Sequence, residues 1–102
     1  MDNWIEIAHV GECQPGKTLE LVVEDRIVAL FNVEGEFFAL DGVCPHQGGP
    51  LGKGELSGCI VTCPWHGWQF DVRDGKNQLT SSLRHLAFPA RVENDKILIQ
   101  LV

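Results

Sequence analysis

Short alternating or β-branched runs dominate the chain, and helical spacing of apolar residues is scarce. WIEIA at 4–8 alternates imperfectly and suits an opening strand. TLELVV (18–23) and RIVALFNV (26–33) follow, with Glu24-Asp25 between them as a turn, and Glu34-Gly35 separates RIVALFNV from EFFAL as a tight hairpin. SGCIVTC (57–63) reads as one further strand. HLAFPARV (85–92) and KILIQLV (96–102) flank Glu93-Asn94-Asp95 as a closing hairpin. About seven short strands with regular turn signals predict an antiparallel all-β sandwich or barrel. The stretches 41–55 and 64–82 are predicted to be irregular.

Composition supports this picture. A chain of 102 residues is one domain's length, so a single domain over 1–102 is expected. With 44% hydrophobic and 22% charged residues, the chain is globular rather than disordered. A net charge of −6 repels phosphate backbones, which argues against nucleic acid; it would attract a basic face on a protein partner, and equally it can serve solubility alone. No run approaches the ~20 apolar residues of a membrane helix. MDNWIEIAHV lacks the basic and long apolar regions of a secretory signal. A soluble, cytoplasmic protein is therefore expected, with its four cysteines used for metal or redox chemistry rather than for disulfides.

The candidate chemistry lies at the start of each irregular stretch. GVCPHQGGPLG (42–52) and VTCPWHGWQF (61–70) each offer one cysteine and one histidine beside proline and glycine. The spacing is C-x-H, sixteen residues, then C-x-x-H, which gives Cys44, His46, Cys63 and His66 as four candidate metal ligands. Proline stiffens each loop, and glycine lets its backbone N–H groups curl toward a negative centre. Two Cys and two His would also satisfy tetrahedral zinc, which keeps a zinc-stabilised structural module open as a reading of another class. Finger-type spacing, however, pairs Cys with Cys and His with His.

The motif C-P-H, sixteen residues, C-P-W-H, then G-W-x-F-D resembles the Rieske [2Fe–2S] family, with the match concentrated in residues 41–75. The resemblance implies a Rieske-type sandwich with a small cluster-binding subdomain made of two loops. It also implies one [2Fe–2S] cluster, with Cys44 and Cys63 on one iron and His46 and His66 on the other. Two ferric ions, two sulfides, two thiolates and two neutral imidazoles sum to zero. Adding an electron is therefore easier than for an all-Cys cluster. The chain would be an electron carrier rather than an enzyme.

Relatives in the respiratory and photosynthetic complexes carry an extra disulfide, at positions that here are Gly49 and Trp65. They also present hydroxyls where this chain has Trp68 and Phe70, and the chain has no tyrosine at all. Without those hydrogen bonds the potential is expected near the low end of the Rieske range, about −150 mV. The small ferredoxins of aromatic-ring dioxygenase systems resemble the chain most. By that resemblance a flavin-dependent reductase and a terminal oxygenase are the partners of a monomeric carrier, docking near His46, His66, Trp65 and Leu51. The small subunit of NAD(P)H-dependent nitrite reductase is the alternative within the family.

Outside the motif, His9 and His85 read as surface or internally satisfied residues, and Cys13 and Cys59 as buried small apolar groups. Asp74, followed by Gly75, reads as a turn residue rather than half of an acid–base pair.

Overall fold

The computed structural model describes residues 3–45, 48–65, 67–80 and 83–101. Among these residues ten strands run in the order β1 (Ile5–His9), β2 (Thr18–Val23), β3 (Arg26–Val33), β4 (Glu36–Asp41), β5 (Glu55–Ser57), β6 (Ile60–Thr62), β7 (Gln69–Asp71), β8 (Ala87–Phe88), β9 (Ala90–Glu93) and β10 (Lys96–Ile99). They form three antiparallel sheets. A central sheet has the order β2-β3-β4-β8, and the outer sheets have the orders β1-β10-β9 and β5-β6-β7.

Strand β3 explains the layering. Its VALF segment is completely buried, and alternate residues face opposite ways. Val28 and Leu30 face the β1-β10-β9 sheet, packing with Ile99 and Ile97 respectively. Ala29 and Phe31 face the other way, into a cluster with Leu40, Leu51, Val61, Phe70 and Val72 that also holds Cys44 and Cys63. A strand buried on both faces reads as a continuous apolar run, as this one does. The β5-β6-β7 sheet and both cysteine loops therefore sit on one face of the central sheet, and the first and last strands on the other.

The hairpins predicted from turn residues are present. Glu24 and Asp25 adopt φ of 48° and 68°, and Asn94 and Asp95 adopt 51° and 66°, which are turns matched to the twist of the flanking strands. Glu34 and Gly35 turn β3 into β4 in the same way, with φ of 51° and 94°. Glu93, expected in the closing turn, instead pairs with Lys96 as the last residue of β9.

Two segments differ from expectation. SGCIVTC is not one strand. Gly58, with φ of 59°, turns the chain between β5 and β6, so Ser57 and Ile60 face each other and Cys59 lies in the turn. HLAFPARV is also divided. Pro89 has no N–H to give to a ladder, and across it the chain leaves β8, paired with β4, for β9, paired with β10. The stretch 64–82, expected to be irregular, contains β7, and β5 begins at Glu55, the last residue of the other, so the cysteine loops stand on a small sheet of their own.

Candidate metal centre

The first cysteine loop leaves the central sheet at the end of β4, and the second joins β6 to β7. Each is closed at its base by main-chain hydrogen bonds. Cys44 N–H donates to the Gly49 carbonyl at 2.8 Å, and Gly48 N–H donates to the Cys44 carbonyl at 2.8 Å. In the second loop, Cys63 N–H donates to the Trp68 carbonyl at 2.8 Å. Positive φ at Gly48 (79°) and Gly67 (73°) permits these tight returns.

The loops bring Cys44 and Cys63 together. Both side chains are buried, at 2% and 1% exposure, and they lie side by side in one core cluster. Burial pushes the Cys63 thiol up from its ordinary range. Cys44 alongside pushes it the same way, and the Trp65 N–H directed at the sulfur opposes both. Neighbouring thiols held in this way can act as a donor pair for a metal ion, which deprotonates its thiol ligands outright.

Gly49 lies against this pair. A Cβ on Gly49 would stand 2.6 Å from the Cys63 sulfur and 3.0 Å from Trp65 Cβ, so a side chain at 49 would intrude on the thiols. The same contacts show that residues 49 and 65 join the two loops by packing. Half of Trp65 remains exposed (51%).

His46 and His66, the other two predicted ligands, lie outside the described residues. Among the described residues no third His, Cys, Asp or Glu joins the cysteine pair at metal-binding distance. Leu51 requires a correction. It was expected at the docking surface, but a short 3₁₀ turn at Leu51–Lys53 directs it into the core, where it is fully buried. It cannot meet a partner there.

Aromatic rings support the site from below. Phe70 is buried, with Trp68 at 6.3 Å and His85 at 5.6 Å between ring centroids. Phe70 fills the position where a tyrosine hydroxyl was considered, and it brings no donor. His85 is internally satisfied, its Nε2 donating to the Asp41 carbonyl at 2.8 Å. His9 is exposed, and its N–H donates to Glu12. Cys13 is buried as expected, while Cys59 is only half-buried in its turn. Asp74 Oδ1 accepts from Lys76 N–H, as a turn residue does. Asp71 Oδ1 and Oδ2 accept from Arg73 Nε and Nη2 at 3.0 and 2.7 Å.

These groups make stability depend on pH. Burial holds the His85 imidazole below its ordinary value of 6.5. As pH falls below that value, the unfolded chain takes up a proton that the folded chain refuses, so stability declines. The Arg73 hydrogen bonds hold Asp71 below 3.8, and that contribution is lost only as pH falls through the depressed value. We expect the urea midpoint to fall between pH 7 and pH 5, by less in His85→Gln than in the parent. Equal pH dependence in the two proteins would show that His85 is not the group responsible.

The decisive comparison is with known families. The family model described as the Rieske [2Fe-2S] domain matches residues 3–90. The chain belongs to the Rieske [2Fe–2S] family. Among its relatives, the ferredoxin component of the naphthalene 1,2-dioxygenase system of Pseudomonas putida is 33% identical over 100 residues, covering 97% of this chain and 96% of the relative. Among solved structures, the ferredoxin of carbazole 1,9a-dioxygenase from Nocardioides aromaticivorans superposes with a TM-score of 0.90 at 23% identity, covering 98% of this chain and 99% of that one. A chain from a complex of reduced oxygenase and oxidised ferredoxin in carbazole 1,9a-dioxygenase gives 0.86 at 24% identity, covering 98% and 94%. These two likenesses establish the fold.

The family's prosthetic group is a [2Fe–2S] cluster, which replaces the zinc reading. The residues present fit it, with two buried thiols from separate loops meeting beside a glycine that leaves them room. The Pseudomonas putida relative is named as a ferredoxin component of its dioxygenase system, an electron-transfer part rather than a catalyst. No described helix is long and apolar enough to cross a membrane.

Proposed function

We propose that the whole chain is one electron-carrying domain, with Cys44, Cys63, His46 and His66 holding the cluster, and that it delivers electrons to a terminal oxygenase. When bound, the cluster supplies a site for one electron at a time. The observation carrying this reading is the meeting of the Cys44 and Cys63 thiols from two loops. By the family's pattern these thiols would hold the inner iron and the two histidines the outer one.

The protein's own part is to keep water from the thiols and to fix the loop backbones. Phe70 and Leu51 pack beneath the cysteines, and the main-chain bonds at each loop base set the cysteine positions. A flavin reductase as donor and an aromatic-ring dioxygenase as acceptor fit the naphthalene system relative. Docking near the two histidines and Trp65 fits the exposure of that indole.

Phe70 and Trp68 offer no hydroxyl to the cluster, so the potential belongs near the low end of the Rieske range, about −150 mV. Reductive titration followed by EPR tests both points. A rhombic signal of the kind mixed Cys/His ligation implies should appear with a midpoint of about −150 mV. A midpoint above about +100 mV would refute the hydrogen-bond argument. An EPR-silent, colourless protein containing zinc would refute the carrier.

A further inference from the structure

We propose that an apolar track leading from the first cysteine loop across the central sheet is a docking surface for a basic redox protein with an apolar centre. The inference rests on the carrier function above and describes its partner's face. The four residues occupy neighbouring backbone positions along this route. Trp65 packs on Gly49, and the adjacent Gly48 lies beside Val43, whose Cγ1 is 3.9 Å from a Gly48 Cβ position. Val43 follows Gly42, and Ile27 Cγ2 covers Gly42, 2.6 Å from where its Cβ would stand. Ile27 in turn pairs directly with Val22 across β2 and β3.

All four side chains are open, with exposures of 75% for Val22, 39% for Ile27, 41% for Val43 and 51% for Trp65. Singly exposed apolar residues are ordinary, but four of them on neighbouring backbone positions beside the cysteine loops are not. The alternation of β3 also places Ile27 on the face that carries the cysteine loops, because Ala29 and Phe31 point there.

Charge selects the partner. Glu24 and Asp25, both exposed, form the turn that follows Val22 and Val23 at the end of β2, in a chain of net charge −6. The cations near the track are engaged, Arg26 with Asp41 at 3.5 Å and Lys53 with Glu20 at 4.0 Å. An apolar row edged by carboxylates complements a surface whose apolar centre is ringed by Lys and Arg, and such complementarity raises the encounter rate.

Horse cytochrome c, a basic protein, is a suitable probe. One electron leaves the dithionite-reduced holoprotein and converts ferric haem to ferrous, and stopped-flow absorbance gives the rate constant. Benzoquinone, small and uncharged, serves as the reference acceptor. The wild-type rate with cytochrome c should fall as salt rises. Val22→Ser and Ile27→Ser should each slow that rate several-fold, and together about tenfold, with the benzoquinone rates unchanged. Val22 is so exposed that its replacement leaves the fold intact.

Unchanged cytochrome c rates in the variants would overturn the proposal. Equal slowing with both acceptors would also overturn it, since the substitutions would then act on the redox centre and not on docking. A wild-type protein with no dithionite-reducible signal would instead strike down the carrier function itself.

Discussion

Cys63→Ala is expected to purify without visible colour and with little bound iron, while Cys59→Ser keeps both. Cys63 is one of two buried cysteines side by side in one core cluster, whereas Cys59 lies half-buried in the turn between β5 and β6. Removing one thiol leaves three of the four proposed ligands, and a cluster site short of a ligand loses iron. Its folding is also affected, because metal binding orders loops that contain few apolar side chains of their own. The variant should therefore unfold at lower temperature than the parent and be cut more readily by protease within 41–75. The visible spectrum and iron content check the first part, and limited proteolysis the second. A Cys63→Ala protein that stays brown with an unaltered spectrum would show that the ligand assignment is wrong.

Gly75→Ala is expected to cost about 3 kcal/mol of stability, an effect at the large end for one methyl group. Two causes act together. Gly75 has φ of 80°, and a Cβ there would run into the His85 backbone carbonyl. That carbonyl belongs to the main chain and cannot rotate aside. The glycine itself is fixed by bonds from Gly75 N–H to the Asp71 carbonyl and from His85 N–H to the Gly75 carbonyl. Gly58→Ala isolates the first cause, since Gly58 also has positive φ, 59°, but open space around its Cβ position. It should cost only about 1 kcal/mol. Thermal melts should separate the two variants by roughly 8–16 °C. Equal melting temperatures would show that the segment around His85 yields to make room.

Much of the sheet framework was readable from the chain because the signals were local. β2 and β3 begin and end where their β-branched runs do, and the Glu24-Asp25 and Glu34-Gly35 turns left no other place for the chain to reverse. Strands β5 and β7 were not readable. Each has three residues, too few to show alternation, and each depends on pairing with β6. Pro89 was visible as a residue but not as the point where the chain changes sheets, since only the partner strands define that.

The cysteine pair was readable because its spacing and its Pro/Gly surroundings are themselves the chemical constraint. Leu51 was not, because an apolar residue in a glycine-rich loop looks exposed until the 3₁₀ turn that buries it is known. The apolar row from Trp65 to Val22 is likewise assembled from three separated segments and has no signature in any one of them.

The pairing of β1 with β10 carries a consequence of another kind. The first and last strands lie side by side, with Ile5 opposite Ile99, on the face of the central sheet away from the two cysteines. Any polypeptide continuing from either strand would leave on that same far side. The fold is therefore built as a cassette, able to be spliced into a larger architecture through two neighbouring connections while its working end stays free.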